Sequence, residues 1–361
     1  VKIATDQFES GIQYLSGFAD RDSSVLFTPL SAGSLVIASV VGQVGQGEYL
    51  FRPTEPLAER FAVRASTIAS IAAVASGDDV EYRPGSSSMF VSGSASWWVP
   101  YVSIDEVPPR MDVDPESWVS LDGKSIKWLS MMRVTVCDKD QTGVLDCVLL
   151  DVKANQDGRS GRRTWVSCDR AAMLVVDTKD VDCSHSVKLL IEGRLIPLIM
   201  ATCESGSAVE IRVGISRYSV QCGKRTATFG LRRGVYPREW VRVHESTSKM
   251  SLAGHHAAIV SRESLWQAVR QSGASRGAVE ISTDYRGVVV RSAEEEIESE
   301  IVIASEVLPG LGPVVIKGSY ARRLSELWPS ERIEIYSSDS KSPVVLRGGA
   351  AVAVVQPLVR S

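Results

Sequence analysis

Four histidines, six cysteines and an acidic run are the side chains of this chain that could do chemistry. A metal centre or a catalytic triad needs its ligands or proton carriers at recognisable spacings, such as a Cys-x-x-Cys pair. His185, His244, His255 and His256 have no partner at such spacing, and His255-His256 reads as loop. Cys137, Cys147, Cys168, Cys183, Cys203 and Cys222 all fall in the middle third, and no two form Cys-x-x-Cys. Clustered cysteines would suit a secreted, disulfide-bonded binding protein. Without a secretory leader, small apolar residues of a reduced core are the better reading. Glu294-Glu295-Glu296 with Glu298 and Glu300 could mimic a cation site, but a solvated strand edge fits better. No Gly-x-x-x-x-Gly-Lys phosphate loop occurs, and the Gly42–Gly47 tip lies between strands rather than before a helix. No catalytic residue, metal or cofactor is expected, which leaves binding as the chemistry.

The elements that would position binding residues come in triplicate. Each copy is an apolar extended lead-in, a short helix, a break, and a strand opening with a β-branched residue and Glu. The first copy is Phe61-Ala-Val, a helix Thr67 to Ala75, Ser76-Gly77 and Val80-Glu81-Tyr82. The second is Leu189-Leu190-Ile191, Leu195 to Ala201, Ser205-Gly206 and Val209-Glu210-Ile211. The third is Val314-Val315-Ile316, a helix Tyr320 to Leu327, Trp328-Pro329 and Ile333-Glu334-Ile335. The copies lie 129 and 124 residues apart, too far for a solenoid or propeller, so the period predicts tandem domains.

Around the copies, Asp6 and Glu9 have capping-box spacing before Phe8, Ile12 and Leu15 on one helical face. A further helix is predicted near Lys124–Arg133. Another is capped by Ser261, with Leu265, Ala268 and Val269 apolar and Gly273 as its stop. Strands are expected at Ser34–Val41, Glu48–Phe51 and Gly143–Val152, with a strand closing the first domain at Trp97–Tyr101 and linkers at Asp112–Glu116 and His244–Met250. The fold class is α+β, with helices on one face of antiparallel sheet, in domains at 1–113, 117–245 and 250–361.

The chain has 361 residues, 44% hydrophobic and 23% charged, which suits folded domains rather than disorder. No apolar run is long enough to span a bilayer and no leader opens the sequence, so no membrane partner is expected and the cytoplasm is the expected compartment. A net charge of −3 excludes a uniformly basic DNA binder.

Several segments resemble the bacterial β sliding clamp, the processivity subunit of replicative DNA polymerase. They are Phe61 to Pro100, Gly143 to Asp151 with Val166-Ser-Cys-Asp169, Leu231 to Pro237, Lys317-Gly-Ser-Tyr320, Asp339 to Pro343 and Val354-Val-Gln-Pro-Leu358. Their order and spacing coincide with the repeat. Two segments depart from the family: Arg170-Ala171-Ala172-Met173 stands in place of Gly-His-Arg-Leu, and Gln356-Pro357-Leu358 in place of Met-Pro-Met.

The resemblance implies a ring of two chains with three clamp domains each, helices lining the hole and sheets outside. It would hold double-stranded DNA topologically and without sequence preference. Closing a ring also pairs the open sheet edges of each domain, and topological holding needs only a weak positive lining. The lining residues implied are Lys124, Lys127, Arg133, Arg194, Arg262, Arg270, Arg322 and Arg323, with little from the first domain beyond Lys2, Arg21 and Arg64. A second implied site is a groove for short linear peptides of polymerase and clamp-loader subunits. Carried over by position, it comprises Leu145, Cys168, Ala171, Ala172, Met173, Pro237, Val243, Tyr320, Pro343, Val354, Val355, Gln356 and Leu358, with Val243 entering by a one-residue shift that aligns Trp240 with the family's Tyr. Leu or Phe anchors are worth about 1.5–3 kcal/mol each when buried, which after ordering costs implies roughly micromolar affinity. A clamp-like scaffold that binds proteins without encircling DNA is the alternative reading.

Overall fold

The structure, a computed structural model, describes residues 1–31, 34–84, 88–100, 102–137, 143–203, 207–248, 257–273, 277–292, 299–305, 311–337 and 339–358. Tyr101, Ser205, Gly206, Met250, His255, His256, Glu294, Glu295, Glu296 and Glu298 lie outside the described residues, as does the side chain of Lys124.

In all three repeat copies the lead-in strand, the helix and the following strand form; the first helix spans Ala65–Ala72 rather than Thr67–Ala75. Strands Phe61–Arg64, Val187–Glu192 and Val314–Lys317 lead into helices α2 (Ala65–Ala72), α4 (Ile196–Thr202) and α7 (Gly318–Leu327), and strands Asp79–Arg83, Val209–Val213 and Arg332–Tyr336 follow. In each copy the strand before the helix and the strand after it belong to different sheets. The helix is the step between sheets.

Contacts divide the chain into two units, Val1–Ile126 with Pro197–Leu231, and Lys127–Ile196 with Arg232–Ser361. The first unit holds an antiparallel sheet in the order Phe61–Arg64, Ser24–Leu30, Leu35–Gly42, Gly45–Phe51, Arg225–Gly230, Arg217–Cys222, Val209–Val213 and Ser117–Leu121. Its central join pairs residues far apart in sequence, Glu48 with Thr226 and Gly47 with Ala227. A smaller sheet runs Lys2–Ala4, Asp79–Arg83, Ser88–Ser92, Ala95–Val99. Helix α1 (Thr5–Ser16) packs beside α2 and on strand Gly45–Phe51. It buries Phe8, Ile12 and Leu15 as their spacing requires. The helix sits so close that a Cβ on Gly11 would stand 2.4 Å from Phe51 Cζ, so only glycine fits there. Phe61 stacks on Phe27 and Tyr82, with ring centroids 4.5 and 3.6 Å apart.

The second unit repeats the plan. Its large sheet runs Val187–Glu192, Cys147–Ala154, Ser160–Cys168, Ala172–Asp182, Ala351–Val355, Val344–Gly348, Arg332–Tyr336, Ala257–Ser261. The join here sets Met173 opposite Val354 and Val175 opposite Val352. A smaller sheet runs Glu300–Ile303, Gly287–Ser292, Ala278–Asp284, Val314–Lys317. Helix α6 (Arg262–Gln271) packs beside α7. Ser261 caps α6 as expected, its Oγ accepting from the Ser264 amide at 3.0 Å, and Leu265, Ala268 and Val269 are buried.

Three expectations need correction. The cap of α1 is Ala4 with no side-chain bond, because strand Lys2–Ala4 runs straight into the helix and leaves Asp6 inside its first turn. The glycine-rich tip is mostly strand: pairing resumes at Gly45, and a Cβ on Gly47 would lie 2.4 Å from Phe18 Cδ2, so the glycine admits an aromatic ring over the sheet. The linker at His244 is instead the second half of helix α5 (Glu239–Ser248), whose Trp240, Val243 and Thr247 share one face at helical spacing. The helix near Lys124–Arg133 is present as α3 (Gly123–Met132), and Arg133 opens a short 3₁₀ turn after it.

Candidate peptide-binding site

Strands Ser160–Cys168 and Ala172–Asp182 meet in a tight turn with Arg170 at its corner, at a φ of 78° that side-chain-bearing residues rarely adopt. Asp169 holds the corner. Its Oδ1 accepts from the amides of Ala171 (3.1 Å) and Ala172 (2.8 Å), and its Oδ2 accepts from the hydroxyl of Tyr320 on α7. Burial, and then the carboxylate itself, push the Tyr320 phenol far above its ordinary value, so it remains a donor at neutral pH. Bonds to a charged acceptor are worth about 1.5–3 kcal/mol each. Asp169→Ala should therefore cost about 2 kcal/mol of stability and speed amide exchange at Ala171 and Ala172. Unchanged exchange at those amides would show that the turn holds itself.

Beyond the turn, strand alternation brings Cys147, Leu149, Val166, Cys168, Met173, Val175, Leu190 and Val354 together with Tyr236, and Trp240 and Val243 of α5 pack on them. Helix α5 also meets the sheet through a polar contact. Arg162 grips Asp177 through both nitrogens of its fork, and His244 Nε2 lies 3.7 Å from the same carboxylate. Burial would raise Asp177, but Arg162 and then His244 outweigh it and hold the group well below the usual carboxylate range. A depressed carboxylate stabilises the fold above its unfolded value of about 4, and that contribution is lost as pH falls toward the folded value.

Between helix and sheet lies a cavity of about 190 Å³ lined by Cys168, Arg170, Ala171, Ala172, Met173, Tyr236, Pro237, Glu239, Trp240, Val243, Val354 and Gln356. Eight of these carry the carried-over positions: Cys168, Ala171, Ala172, Met173, Pro237, Val243, Val354 and Gln356. The other five are elsewhere. Val355 is fully buried on the opposite sheet face, since alternation cannot turn both Val354 and Val355 to one side. Tyr320 stands behind the turn as the partner of Asp169. Leu145 is half-buried ahead of its strand, and Pro343 is exposed. Leu358 is 43% exposed, and its amide donates to the Val315 carbonyl at 2.7 Å. Arg170, Tyr236, Glu239 and Trp240 line the cavity without having been anticipated; the helical spacing from Trp240 to Thr247 was the available signal for the last two.

The anticipated DNA-facing cations divide. Lys127, Arg133, Arg194, Arg270, Arg322 and Arg323 are exposed. Arg194 donates to Glu192 at 2.6 Å, and Arg270 lies 5.6 Å over the Trp266 ring. Arg262 is half-buried and donates to the Trp328 carbonyl, so it supports its helix as well as carrying charge. Helices α1 and α2 carry no Lys or Arg. All six cysteines stand as free thiols in the structure. No cluster of metal-ligating residues occurs among the described residues, and no helix among them is long and apolar enough to cross a membrane.

A helix-and-antiparallel-sheet unit repeated along the whole chain is the α+β fold of DNA sliding clamps. In particular the chain has the fold of the bacterial DNA polymerase III β clamp, on a far-diverged sequence. It matches the DNA polymerase sliding clamp of Pseudomonas aeruginosa over 99% of both chains at a TM-score of 0.82 and 16% identity. It matches that of Bacillus subtilis over 100% of this chain and 99% of the other at 0.82 and 15%. It matches the Helicobacter pylori β clamp bound to a DNA ligase peptide over 99% of both chains at 0.81 and 9%. No family model and no curated protein matches the chain.

Proposed function

We propose that this protein is a non-catalytic DNA sliding clamp, which encircles duplex DNA and tethers polymerase, clamp-loader and repair proteins through the apolar cavity. The correspondence of fold over 99% or more of each chain carries the reading. The three domains would fall at 1–113, 117–245 and 250–361, and a homodimer would close the ring. Two edge strands support closure. Ala95–Val99 and Glu300–Ile303 each end a sheet, and they leave Trp98 68% and Val302 37% exposed. Pairing each with its counterpart on a second chain would satisfy both edges.

The test is retention on DNA of defined topology. Clamp loaded onto nicked circles should remain until the circle is cut, and light scattering should give twice the chain mass of 39.1 kDa. Equal retention on linear and circular DNA would refute encirclement. It would favour the second reading, a protein-binding scaffold that does not enclose DNA, for which the absence of cations on α1 and α2 speaks.

A further inference from the structure

Beside the apolar cavity lies a larger concavity of about 760 Å³ with opposite chemistry. Its lining carries six cations, Lys153, Lys188, Arg232, Arg233, Arg238 and Arg242, against one carboxylate, Asp151. Asp151 is buried and has Lys188 Nζ 3.7 Å away. Arg232 donates to the Gly143 carbonyl at 3.1 and 3.2 Å, which leaves its charge uncompensated. Lys153, Arg233, Arg238 and Arg242 meet no carboxylate among the described residues, and all six cations reach solvent. In a chain of net charge −3 this is a concentration of one sign, and it requires a partner of the other.

Position identifies that partner. Leu149 and Leu190 floor the basin and also belong to the apolar cluster under the cavity. Tyr236 and Trp240 line both concavities and so form a shared wall. A chain leaving the cavity over that wall enters the basin directly. We propose that the basin binds an acidic segment adjoining the apolar anchor of the partner peptide, a proposal that rests on the cavity being a peptide groove. Arginine forks match carboxylates in shape as well as charge. Continuity with the groove favours this occupant over a nucleic acid backbone.

The test uses the full chain and fluorescent peptides carrying a Leu/Phe anchor alone or the same anchor flanked by a short glutamate run. The flanked peptide should bind the parent about tenfold tighter. That advantage should vanish in Arg233→Gln/Arg238→Gln and at about 0.5 M salt, while the anchor-only peptide binds parent and variant alike. Equal affinity of both peptides for the parent, or an advantage that survives in the variant, overturns the proposal. So does displacement of the flanked peptide by a single-stranded oligonucleotide at lower concentration than by an unlabelled acidic peptide, which would assign the basin to nucleic acid. Failure of the anchor-only peptide to bind the parent sinks the groove reading itself, an outcome distinct from an anchor that binds and an acidic flank that adds nothing.

Discussion

Met173→Asp should abolish binding of a Leu/Phe-anchored peptide, lowering affinity by more than about a hundredfold. Met173 forms a wall of the cavity and is 8% exposed, packed within the cluster of Cys147, Leu149, Val166 and Tyr236. A carboxylate there must either lose its water or swing outward and fill the slot, and in both cases no apolar anchor can enter. Because Met173 also belongs to the core, the variant should melt lower than the parent. Met173→Leu separates the two effects. It keeps volume and apolar character, so stability should change by less than about 1.5 kcal/mol and binding should persist. Folded Met173→Asp protein that binds the peptide as the parent does would place the groove elsewhere.

The second large effect concerns DNA. Arg270→Glu with Arg322→Glu should shorten retention on nicked circles and flatten its salt dependence. Each lost phosphate contact removes about 0.9 from the slope of log affinity against log salt. Both side chains are exposed. Their cost to the fold should stay near that of surface changes, within about 0.5 kcal/mol per site, plus a similar loss where Arg270 leaves the Trp266 ring. Arg262 is the wrong choice for this experiment, because reversing it also breaks the bond to Trp328. Retention unchanged from the parent would show that these helices do not face DNA.

Much of the fold could be read from local pattern. The three lead-in, helix and strand copies were legible because apolar spacing and glycine or proline breaks are local signals. The groove was legible only through the family resemblance, carried over by position to Ala171, Ala172 and Met173. What escaped depended on tertiary contact. Gly45 and Gly47 signal a turn on their own, yet they are strand, because the Phe229 ring and the Thr228 carbonyl crowd the first and the Phe18 ring crowds the second. Helix α5 escapes the sequence reading because Thr247 and Ser246 are weak helix formers; Thr247 is buried in the fold, and both bond back to the Val243 carbonyl. Val355 entered the groove by analogy, where the period of two would have removed it. Arg232, Arg233, Arg238 and Arg242 of the basic basin share one stretch of sequence, but their meeting with Lys153 and Lys188 is not visible in any window.

The join between Gly45–Phe51 and Arg225–Gly230 also sets a timetable for synthesis. Tyr49 waits for Arg225, 176 residues later. At about 5–20 residues per second, the strand edge stands open on the ribosome for roughly ten to thirty seconds. An open edge rich in β-branched residues would invite other nascent chains to pair with it. This one opens with Gly45-Gln46-Gly47-Glu48, weak in strand propensity and charged, ahead of Tyr49-Leu50-Phe51, until the fold closes and Arg110 pairs with Glu48. Gly47, which seats the Phe18 ring in the finished protein, thus also helps keep this long-waiting edge a poor template for aggregation.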